Sequence, residues 1–170
     1  MTAFVALLRA VNVGGTGTLP MRDLVAMCEH AGYRNVRTYI ASGNVVFSTR
    51  AKESAVKAAL EKALQAYAGK PVGVLVRTAD ELAAVLAGNP FPDAPPNKVV
   101  AIFLDKAPDP GAADAATGRK NEVVRPSTRE IYVHYPDGLG RSKLKIPAAA
   151  QGTARNMNTI AKLVTMAASA

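Results

Sequence analysis

Val36-Arg37-Thr38-Tyr39-Ile40-Ala41-Ser42-Gly43-Asn44-Val45-Val46-Phe47 is the stretch on which the fold turns. β-Branched and aromatic residues fill residues 36–40 and 45–47, as strands require. Between them, Ala41-Ser42-Gly43-Asn44 offers the residues that accept positive φ in a tight hairpin. Upstream, residues 20–28 put Met21, Leu24, Val25 and Cys28 on one helical face. Thr18 or Leu19 precedes that helix, Pro20 suits its first turn and Gly32 its stop. Before it, Phe4-Val5-Ala6-Leu7-Leu8 is a continuous apolar run, the pattern of a buried strand. Downstream, residues 52–67 turn Val56, Ala59, Leu60, Ala63, Leu64 and Tyr67 inward as a second helix. Gly69-Lys70-Pro71 ends it, and residues 72–76 form a fourth strand. The order is βαββαβ, which defines a split-βαβ or ferredoxin-like unit over residues 1–77.

Residues 78–170 echo this loosely. A helix is expected over residues 80–87, capped by Thr78 or Asp80. The proline-rich connection Asn89-Pro90-Phe91-Pro92-Asp93-Ala94-Pro95-Pro96 cannot continue it. Strands follow at residues 99–104, 122–124 and 130–134, with a short helix over residues 110–117 and a final helix over residues 154–168. Met157, Ile160, Ala161, Val164 and Ala168 face inward on the last. The expected fold class is α+β, with two ferredoxin-like (split βαβ) subdomains, residues 1–77 and 78–170, the second degenerate.

The chain has 170 residues, about half of them apolar, which supports a packed core. No apolar run reaches the roughly 20 residues of a membrane helix. The start, Met1-Thr2-Ala3-Phe4, lacks the basic and cleavage pattern of a signal peptide. Cys28 is the only cysteine, so no internal disulfide and no multi-cysteine zinc site can form. A cytoplasmic setting is the expectation, with no metal and no cofactor. The net charge is +8 and uneven: residues 119–162 carry nine Lys/Arg against Glu122, Glu130 and Asp137, whereas residues 1–118 carry twelve basic and ten acidic side chains. That bias favours anionic partners, or else is a solvated basic face.

The polar signature lies in two neighbouring segments. Gly138-Leu139-Gly140-Arg141-Ser142-Lys143-Leu144-Lys145 places Arg141, Lys143 and Lys145 on one side of an extended segment. Thr153-Ala154-Arg155-Asn156-Met157-Asn158-Thr159 sets Arg155 and Asn156 in the first turn of the last helix, with Thr153 near its cap. A cation there opposes the helix dipole, and a bound anion would relieve both. Arg9, at the end of the first strand, must pair or reach solvent, because desolvating it alone costs several kcal/mol. It reads as an anion clamp or a structural ion pair. Asn12 orients a ligand or closes a turn. Gly14-Gly15-Thr16-Gly17 precedes a helix but lacks the Lys-Ser/Thr of a P-loop, and Pro20 stands where a dinucleotide fingerprint needs glycine. Ser42-Gly43-Asn44 reads as a turn, set at the opposite edge of the sheet from the end of the first strand. His134, between strand neighbours Tyr132 and Tyr135, His30 near a helix end and Cys28 on an apolar face all read as structural. No nucleophile elbow is present.

These segments resemble the bacterial domain of unknown function 1697 family. The resemblance rests on Leu7-Leu8-Arg9-Ala10-Val11-Asn12-Val13-Gly14-Gly15, on Met21 and Leu24, and on Thr38-Tyr39-Ile40-Ala41-Ser42-Gly43-Asn44-Val45-Val46-Phe47. Asn89-Pro90-Phe91, the Gly-x-Gly-Arg-Ser-Lys-Leu stretch at 138–144 and the closing motif at 153–159 complete it, so it spans essentially the whole chain. Ala10 stands where the family has glycine, and Met157 where it has tryptophan, which weakens any stacking at that point. The resemblance implies two ferredoxin-like units side by side, and no activity or catalytic residue.

The reading that follows is a binding module for a phosphorylated or nucleotide-like anion. Arg9, Arg141, Lys143 and Arg155 supply charge, and Asn12, Ser142 and Asn156 supply orientation. RNA or DNA binding competes with it, although Phe4 and Phe47 are the only sheet aromatics available for stacking. An enzyme acting on a phosphorylated metabolite lacks a general base within the basic motifs, with only Asp137 and His134 nearby. A scaffold whose basic loops meet an acidic protein is the fourth reading. No reaction is assigned, and the oligomeric state is left open.

Overall fold

The computed structural model describes residues 1–9, 19–40 and 43–170. The chain is a mixed α+β protein whose described residues form two four-stranded antiparallel sheets and four α-helices. It divides into two compact units, residues 1–83 with 162–170, and residues 84–161. No described helix is long and apolar enough to cross a membrane.

The first unit holds β1 (Thr2–Leu8), α1 (Met21–His30), β2 (Arg34–Thr38), β3 (Asn44–Thr49), α2 (Glu53–Ala68) and β4 (Val74–Thr78). Its sheet runs β2-β3-β1-β4, with Phe4 opposite Phe47 and Ala6 opposite Val76. Alternate strand residues Phe4, Ala6, Leu8, Val45, Phe47, Val74 and Val76 pack with Leu24 and Cys28 of α1 and Val56, Leu60 and Leu64 of α2. Val5, Leu7, Val46 and Leu75, which point the other way, are buried as well. Burial on both faces is why β1 reads as an unbroken apolar run instead of an alternating one. Phe47 stacks on Tyr33 with centroids 4.5 Å apart, so both sheet aromatics belong to the core and neither Phe4 nor Phe47 is a platform for bases.

Local signals end the helices. Pro20 sits in extended conformation just ahead of α1, one position earlier than the first turn expected of it. Gly69, at φ +74°, closes α2 and donates its N–H to the Gln65 carbonyl. The edge strand β4 is tied to α2: Glu61 Oε2 accepts the Val74 N–H at 3.1 Å and pairs with Lys57 Nζ at 3.2 Å, while Lys57 Nζ donates to the Val74 carbonyl. Such side-chain cover blunts an open sheet edge.

Antiparallel pairing corrects the expected position of the β2–β3 turn. The β1 end and the β3 start share one end of the sheet, and the Leu8 N–H donates to the Gly43 carbonyl at 2.9 Å. The turn therefore lies beside the end of β1, because β1 and β3 are direct neighbours. Ala41 and Ser42 lie outside the described residues.

Helix α3 (Ala79–Ala87) begins in a reciprocal cap. The Glu81 N–H donates to Thr78 Oγ1 at 3.1 Å, and the Thr78 N–H donates to Glu81 Oε1 at 2.8 Å. The second unit holds β5 (Val99–Phe103), β6 (Val123–Pro126), β7 (Glu130–His134) and β8 (Thr153–Asn156), ordered β6-β7-β5-β8. On one face of this sheet, Val100, Ile102, Leu104, Val124, Ile131 and Val133 are covered by loop residues, among them Ala112, Leu144, Ile146 and Ala149. In the first unit, helices do that work. The helix expected over residues 110–117 is instead a run of turns, with Ala112 N–H to Asp109 O and Ala115 N–H to Gly111 O. Pro110 and Gly111 punctuate a stretch too short to hold a helix by itself.

The start of the last helix is also corrected. Helix α4 spans Met157–Ala168, and residues 153–156 are the strand β8, with Arg155 opposite Ala101 and Thr153 opposite Phe103. Pairing with β5 gives those residues partners that a first helical turn would have left wanting. Asn156 Oδ1 accepts the Thr159 N–H at 2.9 Å, the geometry of an N-cap.

Candidate functional site

Two loops of the second unit stand where the first unit has helices or tight turns. One leads into β6 and the other follows β7. Between them is a cleft of about 450 Å³, lined by Gly118, Lys120, Asn121, Glu122, Tyr135 and Asp137, and by Gly138, Arg141, Ser142 and Lys143.

Backbone pairing fixes the loops to each other. Thr117 and Lys145 exchange two N–H···O bonds of 2.8 Å. Gly118, at φ +70°, lies so close that a Cβ there would stand 2.1 Å from the Lys143 carbonyl oxygen. Only glycine fits that approach. Gly138, at φ +84°, donates to the Tyr135 carbonyl at 2.9 Å and starts the 3-10 turn Leu139–Arg141. Beyond it, exposure alternates: Arg141, Lys143 and Lys145 are exposed, and Ser142, Leu144 and Ile146 are half-buried. Leu144 and Ile146 anchor the segment on the core, so Lys143 and Lys145 stand outward as their spacing predicts, while Arg141, also exposed, ends the 3-10 turn just before the extended stretch.

Glu122 is the electrostatic centre of the floor. It is 6% exposed, and its carboxylate accepts the Ser142 hydroxyl at 2.5 Å and the Lys120 N–H at 2.7 Å. The Ser142 bond and these backbone N–H groups hold its pKa down at about 2. Ser142 Oγ also accepts the Leu144 N–H at 3.1 Å. Asp137 Oδ2 accepts Asn121 Nδ2 at 2.9 Å and lies 3.8 Å from Lys120 Nζ. Both carboxylates are thus engaged within the loops. Among the described residues, the Arg141 and Lys143 side chains pair with no carboxylate. Burial and the nearby Glu122 charge raise the pKa of Tyr135, which stays a neutral phenol.

The cleft thus brings together Arg141, Ser142 and Lys143. Arg155 does not line it. It is buried on β8, where Nη1 donates to Thr153 Oγ1 at 2.7 Å and to the Ala154 carbonyl at 2.9 Å, and desolvation lowers its pKa to about 10. Asn156 is occupied as the α4 cap. Arg9 belongs to the first unit, where its N–H donates to the Gly73 carbonyl and its side chain lies over Gly73. Asn12 and the Gly14–Gly17 loop lie outside the described residues. His134 rests against Phe91, ring centroids 5.4 Å apart. Burial pushes the Cys28 thiol up to about 12, so it stays protonated. Met157 is buried at the start of α4.

Lys120, Asn121, Glu122 and Tyr135 are the residues that sequence reasoning did not place in the site. The local signal for the first three is the polar run at residues 119–122, which also describes an ordinary solvated turn, and Tyr135 has none. No group of three or more His, Cys, Asp or Glu among the described residues is placed to hold a metal ion.

Fold and site together define a mixed α+β protein with a basic, loop-built cleft on its second sheet. The chain belongs to the family described as "Protein of unknown function (DUF1697)", whose model matches residues 1–132. Among solved structures it is similar to the conserved bacterial protein SP0830 from Streptococcus pneumoniae, with a TM-score of 0.77 and 19% identity over 98% of each chain. That likeness speaks for the fold alone. No curated protein matches the chain.

Proposed function

We propose that this protein binds a phosphorylated or nucleotide-like anion in the cleft between the 117–122 and 138–145 loops. Arg141 and Lys143 supply the charge. One observation carries the reading: the two carboxylates of the cleft are engaged by Ser142, Asn121, Lys120 and backbone N–H groups, while Arg141 and Lys143 keep exposed heads. An arginine fork beside a lysine suits a phosphate, the first through paired donors and the second as a point charge. The strand order β2-β3-β1-β4, with both helices on one face, supports taking the first unit as ferredoxin-like. The matching order β6-β7-β5-β8 supports a degenerate copy in which loops replace helices and so leave room for the cleft. A cytoplasmic setting suits a chain with one cysteine, buried and protonated.

Thermal shift and calorimetric titration with inorganic phosphate, pyrophosphate and a nucleoside monophosphate test this. Binding raises Tm, and Arg141→Ala or Lys143→Ala weakens it roughly tenfold, the worth of one charge-assisted hydrogen bond. A Tm that no anion moves overturns the reading.

A further inference from the structure

The cations do not stop at the cleft. Arg141 and Lys143 line it, but Lys145, two residues further along the same extended segment, lies outside the lining. A step of two residues in an extended chain covers about 6.6 Å. That step is of the order of the distance between successive phosphates of an extended single strand of nucleic acid. Lys145 is also held in place by its two backbone bonds to Thr117, so the spacing is built in. Tyr135, half-buried against the core of the second unit, also lines the cleft, and aromatic rings accept bases of any sequence. A single phosphate would use Arg141 and Lys143 and leave Lys145 idle.

We infer that the ligand is a single-stranded nucleic acid, one nucleotide seated in the cleft against Tyr135 and its successive phosphates running along Arg141, Lys143 and Lys145. This rests on the reading of the cleft as a phosphate site and extends it to a linear polyanion. The platform is a loop rail on the second unit, not the sheet of the first, whose aromatics are spent in the core.

Fluorescence anisotropy with a labelled mixed-sequence single strand of about 12 nucleotides, within the reach of one small domain, tests it. Three phosphate contacts predict a slope of log K against log salt of about −2, because each contact on a single strand contributes about −0.7. Lys145→Ala reduces the slope by about 0.7, Lys145→Arg retains it, and neither changes pyrophosphate binding, since Lys145 is outside the cleft. Circular dichroism of the variants confirms that they fold. Equal binding to a duplex of the same sequence, or a slope that Lys145→Ala leaves untouched, overturns the inference. Binding of pyrophosphate without binding of the oligonucleotide overturns this inference alone, and binding of neither overturns the phosphate site as well.

Discussion

The Ser142 hydroxyl donates to Glu122 Oε2 at 2.5 Å, across twenty positions of sequence. That bond joins the loop after β7 to the loop before β6, and it buries a carboxylate in a region where cations dominate. It also fixes the charge of the cleft floor, because a carboxylate so held stays ionised far below neutral pH.

Glu122 makes the protein acid-sensitive over a defined window. Its folded-state pKa, about 2, is below its ordinary value of 4.5. A depressed pKa contributes stability that is present above the ordinary value and lost as pH falls towards the folded one. Urea denaturation at a series of pH values should therefore show stability declining between about pH 4.5 and 2, with a smaller decline in Glu122→Gln. Identical profiles for the two proteins would show that Glu122 does not join the loops.

Gly118 is the closest approach in the site. In Gly118→Ala, a side chain at positive φ would meet the Lys143 carbonyl, and the loops must part. The expected cost is roughly 2 kcal/mol, read from chemical denaturation, together with weaker anion binding. A change below about 0.5 kcal/mol, the range of ordinary surface substitutions, would mean that the loops are not pinned there.

Two helix starts are capped by side chains. Asn156→Ala removes the acceptor of the Thr159 N–H, and Thr78→Ala removes that of Glu81. Each should lower stability by about 1 kcal/mol, and Asn156→Asp should restore most of the first loss. Loss of phosphate binding in Asn156→Ala with stability unchanged would make Asn156 a ligand residue instead of a cap.

The β4 edge depends on Glu61. In Glu61→Ala the Val74 N–H loses its acceptor, and amide exchange at Val74 should quicken about tenfold, as a charged hydrogen bond of about 1.5 kcal/mol implies. Exchange at Leu60, inside α2, should be unaffected. Unchanged exchange at Val74 would show that the carboxylate does not guard the edge.

Much of the first unit was legible because its signals are local. The strands flanking the hairpin, the faces of α1 and α2 and the Gly69 stop each rest on signals within a few positions, and the structure meets them within two or three residues. The second unit was harder to read. Residues 110–117 are rich in alanine yet fold as turns, and Thr153–Asn156 pair with β5 where helical propensity suggested a first turn. In both places tertiary context outweighed a weak local preference. The outward rail of Arg141, Lys143 and Lys145 was legible, since alternation is a two-residue property. Its companions Lys120, Asn121, Glu122 and Tyr135 were not.

What the sequence by itself determined was the order of elements in the first unit, the apolar residues of the core and the surplus of positive charge after residue 118. Tertiary structure alone decided that residues 117–122 meet residues 138–145, that Arg155 is buried on a strand away from the cleft, and that the β2–β3 turn adjoins the end of β1. Propensity, capping and periodicity are written in near neighbours and survive in a string of letters. Which loops touch is set by strand order and antiparallel pairing, and these arise only when distant apolar faces close on one another.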